Sequence, residues 1–352
     1  MQKIKNRIEG LEEVVAGRKF LLVRGGKSYE NLSIKGYIDS LPHVEFSGFT
    51  PNPLYEQVVE GVKIFNENKC EMIVAVGGGS AIDVAKCIKL YCKMDPAVNY
   101  LKQEMFDSGI DLVAIPTTAG TGSESTRHAV IYFEGAKQSI SHISIVPNVA
   151  ILEPTVLKLL PVYQKKCTML DALAQAIESW WNVNSTDESK ALSRKAVNLI
   201  KDNWQEYIEE NTTEAAAKIM EAANLAGQAI NITATTAAHA MSYKITSMFK
   251  FPHGHAVAVC LSEVWKYMLK HTDKCIDARG EEYLKSVFEE IPVDLNWFED
   301  LMKKLDMSSP VSENREHDID VLTASVNPVR LKNNPVELDV PTLKSLYEVI
   351  VK

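Results

Sequence analysis

The sequence predicts an N-terminal α/β domain followed by an all-α C-terminal domain, and three observations carry that expectation. With 352 residues the chain is too long for one ordinary core. Over its first part, short apolar runs alternate with helical periodicities, the mark of a parallel α/β sheet. From Pro161 onward come long helical periodicities, such as "SKALSRKAVNLIKDNWQEYIEE" and "TEAAAKIMEAANLAGQAINITATTAAHAMSYKI", with almost no strand signal. We divide the chain into 1–157 and 158–352, within the stretch "LEPTVLKLLP".

Bulk properties narrow the field of functions. Composition, 46% hydrophobic and 24% charged, is that of a globular protein. A formal net charge of −8 argues against a nucleic-acid surface. No apolar run reaches the roughly 18 residues of a membrane span, and "MQKIKNRIEGLEEVV" lacks the apolar core of a signal peptide. Cys70, Cys87, Cys92, Cys167, Cys260 and Cys275 form no CxxC pair and read as reduced thiols. The expectation is a cytoplasmic protein with neither nucleic acid nor membrane as partner.

Taken in order, "KFLLVRGG" reads as a buried strand ending in glycines, and "EMIVAVGGGSAIDVAKCIKLY" as strand, tight turn and helix. Gly77, Gly78 and Gly79 fall between that strand and helix, where backbone N–H groups and a helix N-terminus can approach a phosphate. Ser80 is placed to cap the helix and Asp83 falls in its first turn. The pattern is not GxGxxG, and a plain glycine turn is the alternative. "IDLVAIPTTAGTGSE" is a strand entering a loop of small hydroxyls and glycines, with Thr117, Thr118, Thr121 and Ser123. Two such loops at strand ends suggest the two sides of a nucleotide cleft. "ISIVPNVAILEP" is a further short strand region.

In the helical half, "LDALAQAIESW" sets Asp171 and Gln175 four residues apart on one helix face. A carboxylate is a good metal ligand and an amide a weak one, so this is either a metal site with one part exchanged or an amphipathic helix with a polar stripe. His239 lies on a later helix, with His253 and His255 just after it in "KFPHGHAVAV". Pro252 ends that helix and Gly254 allows a sharp turn, so His253 can swing back toward His239.

The motifs "VGGGSAIDVAK", "PTTAGTGSEST", "ILEPTVLKLLP", "DALAQAIES" and "HAMSYKITSMFKFPHGHAVAV", in that order, resemble the iron-containing (group III) alcohol dehydrogenase family over essentially the whole chain. The resemblance implies the dehydroquinate synthase-like fold: an N-terminal dinucleotide-binding domain and a helical domain that carries a metal. The family's one Asp and three His ligands fall on Asp171, Gln175, His239 and His253, so one imidazole is an amide here. The family's usual His near the nicotinamide falls on Tyr243. The implied cofactors are NADP or NAD and a divalent metal, Fe or Zn. The implied partner is a small aldehyde or alcohol, and a homodimer is compatible with the resemblance. Tyr243 or His255 is then the proton relay.

Gly25 stands at the end of "KFLLVRGG" where many NAD-preferring members carry an acid, so Arg24, Lys27 and Ser28 are expected at an NADP 2′-phosphate. By charge alone Lys137, Arg127 and Lys244 are anion candidates, with a solvated surface as the alternative. Within the family, "GAKQSISHISIVPN", "HAMSY", "PHGHAVAV" and "VNPVRLKNNPVEL" most resemble the phosphonoacetaldehyde reductase branch. The rival readings are a dehydroquinate-synthase-like carbon–oxygen lyase and a non-catalytic nucleotide-binding relative.

Overall fold

A computed structural model describes residues 2–26 and 28–352. The chain forms two compact units. One contains residues up to Leu160 together with Asn211–Met220; the other contains Pro161–Glu210 and Glu221–Lys352.

The first unit runs β1 (Lys3–Lys5), α1 (Gly10–Val15), β2 (Phe20–Arg24), α2 (Lys35–Asp39), β3 (His43–Phe46), α3 (Tyr55–Glu67), β4 (Met72–Gly77), α4 (Gly79–Tyr91), β5 (Asp111–Pro116), β6 (His128–Phe133), β7 (Ala136–Ser141) and β8 (Val149–Ile151). Six strands form one parallel sheet in the order β1-β8-β5-β4-β2-β3. Its central strands β4 and β5 are buried almost throughout, which is why they read as continuous apolar runs rather than alternating ones. "KFLLVRGG" supplies β2, and the short β1 that precedes it in the chain lies at one edge of the sheet. β6 and β7 form a separate antiparallel hairpin that the sequence reading did not resolve.

The order in which the chain adds strands reverses between β2 and β4, since β3 is added on the far side of β2 and β5 on the far side of β4. A crevice at the carboxyl ends of such strands is where open α/β sheets hold ligands. The segments leaving β2, β4 and β5 meet there: the Gly25 N–H donates to Val76 O at 3.0 Å, and the Thr117 N–H donates to Gly77 O at 3.0 Å.

The second unit contains α5 (Val162–Trp181), α6 (Asp187–Glu209), the C-terminal part of α7 (Thr213–Thr233), α8 (Ala237–Phe249), α9 (His253–Lys270), α10 (Glu281–Glu290), α11 (Leu295–Lys304), α12 (Arg315–Ser325), α13 (Pro328–Leu331) and α14 (Val340–Ile350). Helix α5 is buried almost continuously from Cys167 to Trp181, and α6 and α9 pack against it.

The link between α8 and α9 corrects one expectation. Lys250, in the left-handed region at φ 56°, terminates α8, and α9 begins at His253. Gly254 is therefore helical and makes no turn. Its role is close approach, because a Cβ there would lie 1.9 Å from the Cys167 carbonyl oxygen and 2.9 Å from Asp171 Cβ. The bare backbone lets α9 settle on α5 and bring His253 to Asp171. We expect Gly254→Ala to destabilise the protein by about 3 kcal/mol or more, since the clash is with backbone that has no room to yield. Chemical denaturation of the purified variant measures this.

Candidate active site

In the first unit, Gly25, Gly77, Gly78, Gly79, Thr117, Thr118 and Thr121 gather around the ends of β2, β4 and β5. A Cβ on Gly77 would lie 2.6 Å from Ala81 Cβ, so the turn into α4 requires glycine for packing. A Cβ on Gly78 would meet Thr118 at an ordinary 3.5 Å, and one on Gly79 would meet Thr121 at 3.1 Å. Gly78, not Ser80, is the N-cap of α4, and it makes no side-chain cap; Ser80 already lies inside the helix. The first N–H groups of a helix lack partners within it, so this terminus is a candidate anion cradle.

Asp83 and Ser123 are placed differently from expectation. Ser123 Oγ donates to Asp83 Oδ1 at 2.6 Å, and Asp83 Oδ2 accepts the Val130 N–H at 3.0 Å. Lys86, fully buried one turn along α4, donates to Ser123 Oγ, Thr126 Oγ1 and His128 O at 3.0, 3.1 and 2.7 Å. Burial pulls the Lys86 ammonium down to about 8, with Asp83 and Glu124 opposing it. This network ties α4 to the Gly/Thr loop and the start of β6, so Asp83 and Ser123 brace the cradle from behind. Lys137, on β7, is close enough for its charge to act on Asp83.

At the end of β2, Arg24 is committed to Glu45 at 2.8 Å and Glu30 at 3.2 Å, which leaves it unsuited to the phosphate role expected for it. Ser28 is exposed, and its hydroxyl would lie 3.1 Å from a Cβ on Gly25. Lys27 lies outside the described residues. Asp39, His43 and Glu45 also converge within 4.8 Å, but Lys35 and Arg24 are salt-bridged to the two carboxylates.

In the second unit, Asp171, His239 and His253 offer ligand atoms that all lie within 4.8 Å of one another. Asp171 Oδ1 is 3.3 Å from His239 Nε2 and 3.9 Å from His253 Nε2. Asp171 Oδ1 and His239 Nε2 are buried and make no hydrogen bond, a costly state for two such atoms. Gln175, one turn along α5 and also buried, hydrogen-bonds Asp171 and helps to hold its carboxyl low. Burial pushes the Asp171 carboxyl up, but His239, His253 and Gln175 together keep it below the usual carboxylate range. Two lone-pair-bearing atoms facing across this gap fit a shared cation, a proton or a divalent metal.

The residue that orients this cluster is Glu178, which the sequence reading passed over. It is completely buried, and its Oε1 accepts from the Thr236 N–H at 3.1 Å, the Thr236 hydroxyl at 2.6 Å and the His239 N–H at 3.3 Å. Its Oε2 takes the short hydrogen bond from His239 Nδ1. That bond fixes the tautomer, turning the Nε2 lone pair toward Asp171, the carboxylate–histidine arrangement that supports metal ligands. Glu178 lies seven residues after Asp171 and three after Gln175, on the same helix face, and that spacing was the available signal.

Tyr243 lies beside the cluster, its ring nearly parallel to that of His253 with centroids 5.7 Å apart. His255 does not join it. Its Nδ1 accepts from the Tyr163 hydroxyl and its Nε2 donates to Ser308 O, both at 2.8 Å, and Phe251 stacks on its ring. With both nitrogens engaged and burial holding its pKa down, His255 is a packing residue and not the expected proton relay.

Comparison with known proteins adds an independent observation. Residues 4–154 match the family described as iron-containing alcohol dehydrogenase, and residues 166–351 match the C-terminal part of the Fe-containing alcohol dehydrogenase family. A 1-propanol dehydrogenase from Salmonella typhimurium is 32% identical over 63% of this chain and 58% of its own length. An NADPH-dependent butanol dehydrogenase from Clostridium saccharobutylicum is 25% identical over 98% of this chain and 95% of its own. The crystal structure of sulfoacetaldehyde reductase from Bifidobacterium kashiwanohense in complex with NAD+ superposes with a TM-score of 0.86, at 27% identity, covering 99% of this chain and 96% of that one. The chain spans between 27% and 60% of the length of the Salmonella protein and two other curated relatives. Among the described residues no helix is long and apolar enough to cross a membrane.

Two outcomes follow from this geometry. Gly78→Val leaves the fold intact, because the cradle has room for a Cβ, but weakens nicotinamide dinucleotide binding by roughly a hundredfold as backbone N–H bonds to charged oxygens are lost; fluorescence titration beside a thermal melt separates the two effects. Burial lowers the His239 pKa, but Glu178 and Asp171 outweigh it and push the imidazole up to about 9 in the absence of metal. A raised pKa stabilises the folded state below the ordinary value near 6.5, and that contribution is lost as pH climbs through about 9. Chelator-treated protein should therefore lose stability across that window, and divalent metal should bind more tightly with rising pH while releasing a proton, as calorimetry in buffers of different ionisation enthalpy would record.

Proposed function

This chain belongs to the iron-containing alcohol dehydrogenase family, and from that premise we propose that it is an NAD(P)-dependent, metal-dependent alcohol dehydrogenase working as a reductase of a small aldehyde. The substrate we favour is phosphonoacetaldehyde, reduced to 2-hydroxyethylphosphonate. The observation that carries the reading is the buried pair Asp171 Oδ1 and His239 Nε2, 3.3 Å apart with no hydrogen bond to either, beside His253. Support for the substrate comes from the stretches "GAKQSISHISIVPN" and "VNPVRLKNNPVEL" and from the likeness to a sulfoacetaldehyde reductase.

Asp171, Gln175, His239 and His253 would hold a divalent cation, which when bound would supply Lewis acidity toward a carbonyl oxygen, and a nicotinamide cofactor would supply the hydride. Glu178 keeps the His239 lone pair turned to the site. Tyr243, parallel to His253, is the residue we assign to deliver the proton that the reduced oxygen requires, and water then restores its hydroxyl. Gln175 is the weak member of the ligand set, because an amide oxygen binds borderline metals less well than imidazole nitrogen does. The cradle of Gly77, Gly78, Gly79, Thr117, Thr118 and Thr121 is our assignment for the cofactor pyrophosphate. Family membership speaks against the lyase reading, and a retained buried ligand set speaks against a non-catalytic relative.

The test measures net oxidation of NADPH and NADH with phosphonoacetaldehyde, together with elemental analysis of the purified protein. We expect NADPH to serve at least as well as NADH, because Gly25 presents no carboxylate to a 2′-phosphate. Dialysis against chelator should remove both metal and activity, divalent cation should restore both, and Gln175→His should slow the loss of metal. Full turnover by protein that contains no metal would overturn the metal-dependent reading, and a clear preference for NADH would overturn the cofactor choice.

A further inference from the structure

The motif "VNPVRLKNNPVEL" is built around one arginine. Asn327 caps α13, its side chain accepting the Val329 N–H at 2.9 Å, and Pro328 fills the first helical position. Beyond the helix, Asn334 is fully buried and donates to Val336 O at 2.7 Å, while Asn333 donates to Thr235 O at 3.1 Å. The single turn between these anchors carries Arg330, whose guanidinium carbon lies 5.4 Å from the centre of the Tyr243 ring. Tyr243 is in turn parallel to His253, in the ligand cluster.

Arg330 is half-buried, and among the described residues its side chain has neither a carboxylate partner nor a hydrogen bond; it lies over the Tyr243 ring. Arg279, in the same unit, shows the contrast: it bonds Asp277, Ser185, Asn182 and Tyr283. A guanidinium carried on an anchored turn, over the Tyr243 ring and with none of its donors spent on hydrogen bonds, matches the planar two-point recognition of an oxyanion.

We propose that Arg330 is the specificity-determining residue of the site, gripping the phosphonate or sulfonate of a short aldehyde whose carbonyl faces the Asp171–His239–His253 cluster. The proposal deepens the reductase reading above and rests on it. Arg330 is named in addition to Arg127, Lys137 and Lys244, which are anion candidates by charge alone.

The test uses metal-loaded wild-type protein, Arg330→Met and Arg330→Lys, with phosphonoacetaldehyde, sulfoacetaldehyde and uncharged propanal. In wild type, kcat/KM should favour at least one of the two anionic aldehydes over propanal. In Arg330→Met that ratio should fall by roughly ten- to a hundredfold, the worth of hydrogen bonds to a charged group, mostly through KM. Arg330→Lys should fall between them, because it keeps the charge and loses the fork. Calorimetric affinity for 2-hydroxyethylphosphonate should drop in parallel, and a thermal melt confirms that each variant is folded. A ratio and an affinity unchanged in Arg330→Met, or a wild type that prefers propanal to both anionic aldehydes, would overturn the proposal. Absence of turnover with any aldehyde would instead defeat the reductase reading, and the calorimetric comparison would still decide what Arg330 binds.

Discussion

Glu178 is a carboxylate with none of its surface exposed, and the order of the second unit follows from making that charge tolerable. An ion in an apolar interior costs several kcal/mol unless its lone pairs are filled. Here they are filled by the opening turn of α8: the Thr236 amide and hydroxyl, the His239 amide and the His239 ring. The carboxylate of one helix thus serves as the cap of another, where the helix dipole favours negative charge. Neighbouring residues of α5 extend the same seam. Trp181 donates to Thr236, Asn182 donates to the Ala234 carbonyl, and Ser179 accepts from Thr233. The register of α8 against α5 is therefore set by polar contacts at one end, and His239 inherits its position from that register.

The first unit solves a similar problem with the opposite sign. Lys86 is a buried cation whose three donors all reach the loop after β5 or the start of β6. In both units a charged side chain inside a helix fixes a segment that carries candidate binding groups. The groups that do the fixing are distinct from those left to bind, which is how a site keeps its geometry while its binding atoms remain free.

Much of this was legible in the sequence, for identifiable reasons. Parallel strands buried on both faces leave uninterrupted apolar runs, so β2, β4 and β5 were visible and β8 fell within "ISIVPNVAILEP", whereas β1 spans only three partly exposed residues and carries little signal. The β6–β7 hairpin turns on Glu134 and Gly135, both at positive φ, and Glu-Gly is not among the usual pairs for such a turn. Asp171, Gln175, His239 and His253 could be named because ordered motifs mark them. His255 was misjudged because the direction of its ring depends on where α9 begins, and Gly254 was read as a turn when it is a contact point. Arg330 was out of reach, since its nearness to Tyr243 comes from tertiary packing between segments far apart in the chain.

The way each candidate metal ligand is held has a consequence for the chemistry that the scaffold can host. Asp171 is pressed by the bare backbone of Gly254, His239 is held at two points by Glu178, and His253 lies along Tyr243. Neither Asp171 nor His239 can be shifted without disturbing the helix contact that holds it. Gln175 sits one turn from Asp171 in mid-helix, and a change there alters donor chemistry without moving backbone. On the metal-dependent reading proposed above, position 175 would be the tuning element of the cage: amide oxygen would incline it toward harder cations and imidazole nitrogen toward borderline ones. A lineage with this scaffold could change its preferred metal at the cost of one side chain and keep its fold.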